Sequence, residues 1–169
     1  MSEPSPCPDC GVTLAPHDGP THPYLGASAA CWALFNEVLA REYASPVLME
    51  RVHRLTVDAY AAQHPGQPER RTIQSVWGHL AALHMTLERK LDPVFARRVI
   101  AALVDSGDGL VWLAPPPSLG AITVVEVAAA PDEAAHAAAV DRWAESVWVA
   151  WSPHHAAVRA IADRIAAKL

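Results

Sequence analysis

Apolar residues recur along much of this chain at helical spacing, interrupted by serine-proline and proline-glycine pairs. From Ser28 to Tyr43, the set Cys31, Leu34, Phe35, Val38 and Leu39 falls on one face, with Ser28 in the N-cap position. Ser45-Pro46 predicts a restart, serine capping and proline at the first helical position, and Pro65-Gly66 closes that second helix. A third helix is predicted over Glu69–Leu91, burying Ile73, Val76, Leu80, Leu83 and Leu87. A shorter one follows from Asp92-Pro93 to about Val104 and ends in a turn over Asp105–Gly109. Leu110–Leu113 and Ile122–Val127 have the β-branched, short-run character of strands, which predicts a hairpin over residues 110–127. Pro131 opens a helix with His136, Val140, Trp143, Val147 and Trp151 on one stripe, and Ser152-Pro153 opens the last, running to Leu169. The expected fold is mainly α: one domain, a bundle of five to six helices with a small β-hairpin.

Residues 1–27 break this pattern. They are rich in proline and glycine and show neither helical nor strand period. A structureless run of that length in a compact domain needs something to pin it. Cys7-Pro8-Asp9-Cys10-Gly11 has the form of a zinc knuckle: two thiolates three apart face one ion when the backbone turns tightly, and Gly11 permits that turn. Cys31, in the first turn of the first helix, supplies a third thiolate where the helix dipole favours negative charge. His64 or His22 would complete a tetrahedral set. His22 is nearer in sequence. His64 is favoured by topology: a tight turn near Ser45 lays the end of the second helix beside the start of the first. His64 then projects about 7 Å beyond the level of Cys31, towards the N-terminal segment. The expected metal ligands are therefore Cys7, Cys10, Cys31 and His64, with His22 as the alternative fourth. Zn2+ is the expected ion and iron the alternative.

Composition narrows the function classes. The chain has 169 residues, 51% of them hydrophobic, enough for a packed core and too many for disorder. A net charge of −5 argues against a general nucleic-acid binder. No apolar run approaches the roughly 20 residues that span a bilayer, and the polar opening MSEPSPCPDC carries no export signal. The expectation is a cytoplasmic protein whose partners are a metal ion and, as a second candidate, a small molecule, with no nucleic acid and no membrane. Three cysteines in a reducing compartment favour metal over disulfides. Four of the six tryptophans (Trp112, Trp143, Trp148 and Trp151) fall late in the chain, where they would build core or a pocket wall.

The stretch His53–Gly66, HRLTVDAYAAQHPG, places His53, Val57, Tyr60 and His64 on one stripe. His79 on the following helix is level with about Leu55, so it would face His53 across the pair. His53 and His79 are thus the candidate catalytic residues, as bases or ligands of a nitrogen-rich site completed by His154 or His155. The bland alternative is buried histidines bonded to hydroxyls or backbone. Asp58 reads first as the partner of Arg54 in an exposed i,i+4 pair. Glu50-x-x-His53 and Glu133-x-x-His136 match the form used in di-iron bundles, with Glu37 and Glu88 on other helices. Chance matches of that kind are expected in a chain with nine histidines.

Taken together, CPDCG at Cys7–Gly11, GPTHPY at Gly19–Tyr24, Cys31-Trp32, His53–Gly66, Ser75–Leu80 and Trp143–His155 resemble a bacterial family known only as a domain of unknown function. The resemblance spans most of the chain. It implies that the cysteines and the His53–Gly66 stretch belong to one fold rather than to a grafted zinc finger. It implies no activity. The first functional reading is a zinc-binding helical protein whose metal ties the N-terminal segment to the helices. Two others stand beside it: a metal-dependent enzyme of hydrolase or lyase type, and an adaptor or assembly protein.

Overall fold

Capping chemistry sets most of the helix boundaries. The computed structural model of the chain describes residues 3–107 and 109–169. Met1 and Ser2 of the polar opening, and Asp108 of the expected turn, lie outside the described residues. A two-stranded antiparallel hairpin, β1 (Ser5–Pro6) and β2 (Thr13–Leu14), precedes the first helix. Helix α1 (Ala29–Tyr43) starts where the Ser28 hydroxyl accepts from the Cys31 N–H. Helix α2 (Pro46–Arg51) starts with Ser45 capping Leu48. Helix α3 (His53–Gln63) follows after one residue, so the second expected helix is divided at Val52. There the Thr56 hydroxyl donates back to the Val52 carbonyl, an arrangement that bends helices.

Helix α4 (Arg70–Leu83) runs into a single π-helical turn (His84–Glu88), and α5 (Pro93–Ser106) ends at Gly107 in the left-handed conformation. Helices α6 (Val124–Ala128), α7 (Glu133–Ala150) and α8 (His155–Ala166) complete the chain. The fold is mainly helical with one small hairpin, as the pattern predicts.

The hairpin, however, is not where the pattern places it. Leu110–Leu113 and Ile122–Val127 do not pair as strands. Their backbone groups are satisfied by side chains of the helices instead. The Trp77 indole donates to the Val111 carbonyl at 2.8 Å, and the Gln63 amide donates to the Leu119 and Ile122 carbonyls at 3.1 and 2.8 Å. Thr123 and Glu126 form a reciprocal capping box that turns Val124–Ala128 into a helix.

Helix α3 lies between α4 and α7, α1 packs on α6, and α5 packs on α4 and α8. One buried apolar cluster draws on every α-helix, with Trp77, Trp143, Trp151, Tyr60 and Leu80 among its fully enclosed side chains. Apart from Asp58 Oδ2, the buried side-chain polar atoms of the described residues are paired. Gln63 accepts from the Trp143 indole, and Arg41 donates to the carbonyls of Val127, Ala128 and Ala130, closing the end of α6. No helix among the described residues is long and apolar enough to cross a membrane.

Candidate metal centre

The knuckle is built by its backbone. Gly11 has φ +74° and its N–H donates to the Cys7 carbonyl at 3.0 Å, which folds Cys7 and Cys10 towards one side. The N-cap at Ser28 begins α1 just ahead of Cys31, so that sulfur enters from the first helical turn. His64 is the residue that ends α3, and Gly66, at φ +70°, reverses the chain immediately after it. A Cβ on residue 66 would lie 2.3 Å from the Tyr24 carbonyl oxygen, so only glycine lets the N-terminal segment pass this close. Asp9 fastens the same point from the other side: its carboxylate accepts from the Gly66 N–H at 2.8 Å.

These local devices bring four ligand atoms together. The sulfurs of Cys7, Cys10 and Cys31 and a ring nitrogen of His64 all lie within 4.8 Å of one another. Cys10 and Cys31 sulfurs are 3.9 Å apart, and the Cys31 sulfur is 3.4 Å from His64 Nε2. A regular tetrahedron around zinc, with bonds of about 2.3 Å to sulfur and about 2.05 Å to nitrogen, spaces two sulfurs about 3.8 Å apart and sulfur from nitrogen about 3.6 Å. Those two pairs already have nearly that spacing. The geometry is compatible with a metal ion such as zinc.

The surrounding groups orient the ligands. His64 Nδ1–H donates to the Tyr60 carbonyl at 2.8 Å, which leaves Nε2 with its lone pair towards the sulfurs. The Ser28 N–H donates to the Cys7 sulfur at 3.3 Å and the Tyr60 hydroxyl to Cys31 at 3.5 Å. Burial, with the Cys31 sulfur beside it, pushes the Tyr60 hydroxyl far up, so it stays a neutral donor.

Protons alone hold this cluster awkwardly. Hydrogen bonds from Cys10 and Cys31 pull the Cys7 thiol down, whereas the Cys10 and Cys7 sulfurs and burial push the Cys31 thiol up. Burial works against a charged His64 ring, but the Cys10 and Cys7 sulfurs outweigh it and hold the imidazole at about 9. Crowded sulfurs cannot all ionise without a cation, and a dication removes that conflict.

Sequence reasoning therefore names the four convergent residues, and His22 is not among them. His22 Nδ1 accepts from the Tyr24 and Leu25 N–H groups, and its ring lies edge-on to Trp32. The other candidate histidines do not form one nitrogen-rich site. His53 Nδ1 donates to Glu42 at 2.8 Å, and His79 Nδ1 donates to Asp58 at 2.7 Å. His154 and His155 donate to the carbonyls of Ala114 and Trp148. Each of the four is anchored by an acceptor of its own.

Nor do the Glu-x-x-His pairs assemble a di-metal centre. Glu88 binds Arg159, Glu50 lines a surface cavity, and the carboxylate that His53 and His136 share is Glu42, which sequence reasoning passes over. Glu42 is fully buried on α1 and also accepts from the Thr56 hydroxyl. Its signal is faint: a glutamate in the last turn of an amphipathic helix, where a cation is the usual choice. Asp58 does pair with Arg54 at 3.3 Å, but it is buried rather than exposed.

A family model covers residues 5–152, a span that includes all four convergent residues. The chain belongs to DUF5946, a family of unknown function. Membership in DUF5946 assigns no chemistry. No curated protein and no solved structure matches the chain. What this DUF5946 member does has to be argued from its own residues.

Proposed function

We propose that this protein binds one zinc ion through Cys7, Cys10, Cys31 and His64, and that the metal anchors its N-terminal segment to α1 and α3. The observation that carries the reading is the convergence of four ligand atoms within 4.8 Å from three separate stretches of chain. Three thiolates and one imidazole are a donor set typical of structural zinc. Four protein ligands leave no position for water or substrate, so the metal's role here is architectural. A metal-activated reaction would need one of the four ligands to depart, and His53 and His79 bond to Glu42 and Asp58 rather than to the cluster. Thiolate ligation also suits a reducing compartment such as the cytoplasm.

Elemental analysis of the purified full-length protein tests this. The expected result is one zinc per chain, little iron, and three thiols that react with a thiol reagent only after a chelator is added. Cys31→Ser should lose the metal and lower the thermal midpoint, because metal binding contributes folding free energy. Metal-free protein with three freely reacting thiols would overturn the reading, and stoichiometric iron would replace zinc with iron.

A further inference from the structure

Two adjoining cavities lie beside the metal centre, between α3, α4 and the N-terminal segment. The wider, about 360 Å³, is bordered by Arg54, Arg71, Gln74 and the wall of α5 at Ile100 and Val104. The narrower, about 130 Å³, is walled by Trp32, Phe35, Tyr60, Val57 and Leu25. Tyr24, Ser75 and His79 border both, so the two cavities adjoin at those side chains. Ser75 and His79 are four apart on α4 and share its face.

The charge of this space is unlike that of the chain. The protein carries a net charge of −5, yet no carboxylate borders either cavity among the described residues. Two guanidinium groups, of Arg54 and Arg71, and two imidazoles, of His22 and His79, do. Arg54 is engaged by Asp58, but Arg71 makes no ion pair among the described residues. A low-dielectric wall beside an uncompensated cation favours an anion.

At the junction sits an oriented histidine. His79 Nδ1–H donates to the buried Asp58 carboxylate at 2.7 Å, and Nε2 has no hydrogen-bond partner among the described residues. A carboxylate on Nδ1 fixes the ring and makes Nε2 the basic atom. Asp58 itself is expensive to bury: its second oxygen has no partner at all. Packing gives no reason for a carboxylate at that position, and a positioned histidine does.

We propose that these adjoining cavities bind a small aromatic anion. Its ring lies in the narrow cavity against the packed wall of Trp32, Phe35 and Tyr60, which already touch one another and so form one face of it. Its carboxylate or phosphate lies near Arg71 and Arg54, and His79 meets it at the junction as an imidazolium donating from Nε2. The narrow cavity has room for about one six-membered ring, and its aromatic walls suit a flat one. The wide cavity supplies the charge.

Benzoate and phenyl phosphate are the probes, with benzyl alcohol as the uncharged comparison, titrated into zinc-loaded protein by calorimetry and two-dimensional amide NMR. Saturable shifts are expected around Tyr24, Ser75 and His79 with at least one of the two anions, and the tighter of them identifies the anionic group. Loss of one charge-assisted contact should weaken binding about tenfold, both for benzyl alcohol and for Arg71→Gln. His79→Gln should weaken it as well, whereas Arg97→Gln, on another cavity, should leave it unchanged. Arg71 is exposed, so its variant should fold, and unchanged helical circular dichroism and zinc content verify that.

No saturable binding of either anion, equal binding of the alcohol, or full binding by Arg71→Gln would each overturn the proposal. Zinc content is read in the same samples. Protein that holds zinc and binds no probe defeats only the cavity, and protein that binds the probe without zinc defeats only the metal.

Discussion

Gln63 shows how much of this fold depends on single polar side chains placed inside it. It is fully buried at the end of α3, where it makes three hydrogen bonds, to distant backbone and to one indole. Its amide nitrogen donates to Leu119 and Ile122, and its oxygen accepts from Trp143. Replacing Gln63 with leucine keeps the volume and strands an indole N–H and two carbonyls. Because each buried group left unpaired costs about 1–3 kcal/mol, Gln63→Leu should destabilise the protein by about 3 kcal/mol. Urea unfolding measures this, and a change below about 1 kcal/mol would mean that water replaces the amide. Glu42 follows the same logic with three donors, Thr56, His53 and His136, drawn from two other helices. Neither residue announces itself in sequence, because the partners of Gln63 are 56 to 80 residues away and that of His136 is 94 away. Only helix packing decides such pairings. Cys7, Cys10 and Cys31 were legible for the opposite reason: short spacings and a helix start fix their directions locally, and the turn at Ser45 brings His64 alongside.

Elements with explicit caps were the readable ones. Ser28, Ser45-Pro46 and Asp92-Pro93 mark the starts of α1, α2 and α5 as the pattern predicts. Residues 110–127 were misread because short runs of valine and isoleucine suit strand and buried coil or helix alike. The competing signal was Thr123-x-x-Glu126, a capping box. Thr123→Ala should therefore cost about 1 kcal/mol, the usual value of a lost N-cap, and loosen the stretch that Gln63 holds.

The π-helical turn is a second element without a sequence signature. It places Glu88 against Arg159 of α8, whose Nε donates at 2.9 Å, and against the Trp148 indole. Arg159, followed by Trp148 and His84, holds the Glu88 carboxyl down to about 2 from an ordinary 4.5. A lowered folded value stabilises the native state above the unfolded value, and that stabilisation disappears as pH falls through the folded one. Glu88→Gln should thus be less stable than the parent at pH 7, by no more than about 1 kcal/mol because the pair is exposed. The gap should close between pH 4.5 and pH 2. Urea midpoints at pH 7 and pH 3 decide it, and a gap that is the same at both would remove Glu88 from the account of acid sensitivity.

For the whole molecule, the two parts of the chain should respond differently to metal removal. The helices bury a common core with Trp77, Trp143 and Trp151 inside it, and their indole N–H groups donate to Val111, Gln63 and Ala62 rather than to the cluster. Residues 3–26 are held by less: the Asp9–Gly66 bond, the Cys7–Ser28 bond, the convergent sulfurs, the packing of His22 on Trp32, and the partly buried Val12, Leu14 and Leu25 against the core. Stripping zinc with a chelator should leave the crowded thiols to repel or reprotonate, so the segment lets go while the helical ensemble persists. Far-ultraviolet circular dichroism should change little. Limited proteolysis should cut before Ser28 at a much higher rate, and fluorescence should shift to the red as Trp32 loses its cover. Loss of the helical signal together with the N-terminal segment would point to a different molecule, one in which the metal organises the bundle itself. In that case α1 and α3, which carry Cys31 and His64, would be the link, since both would lose their common fastening at the same ends.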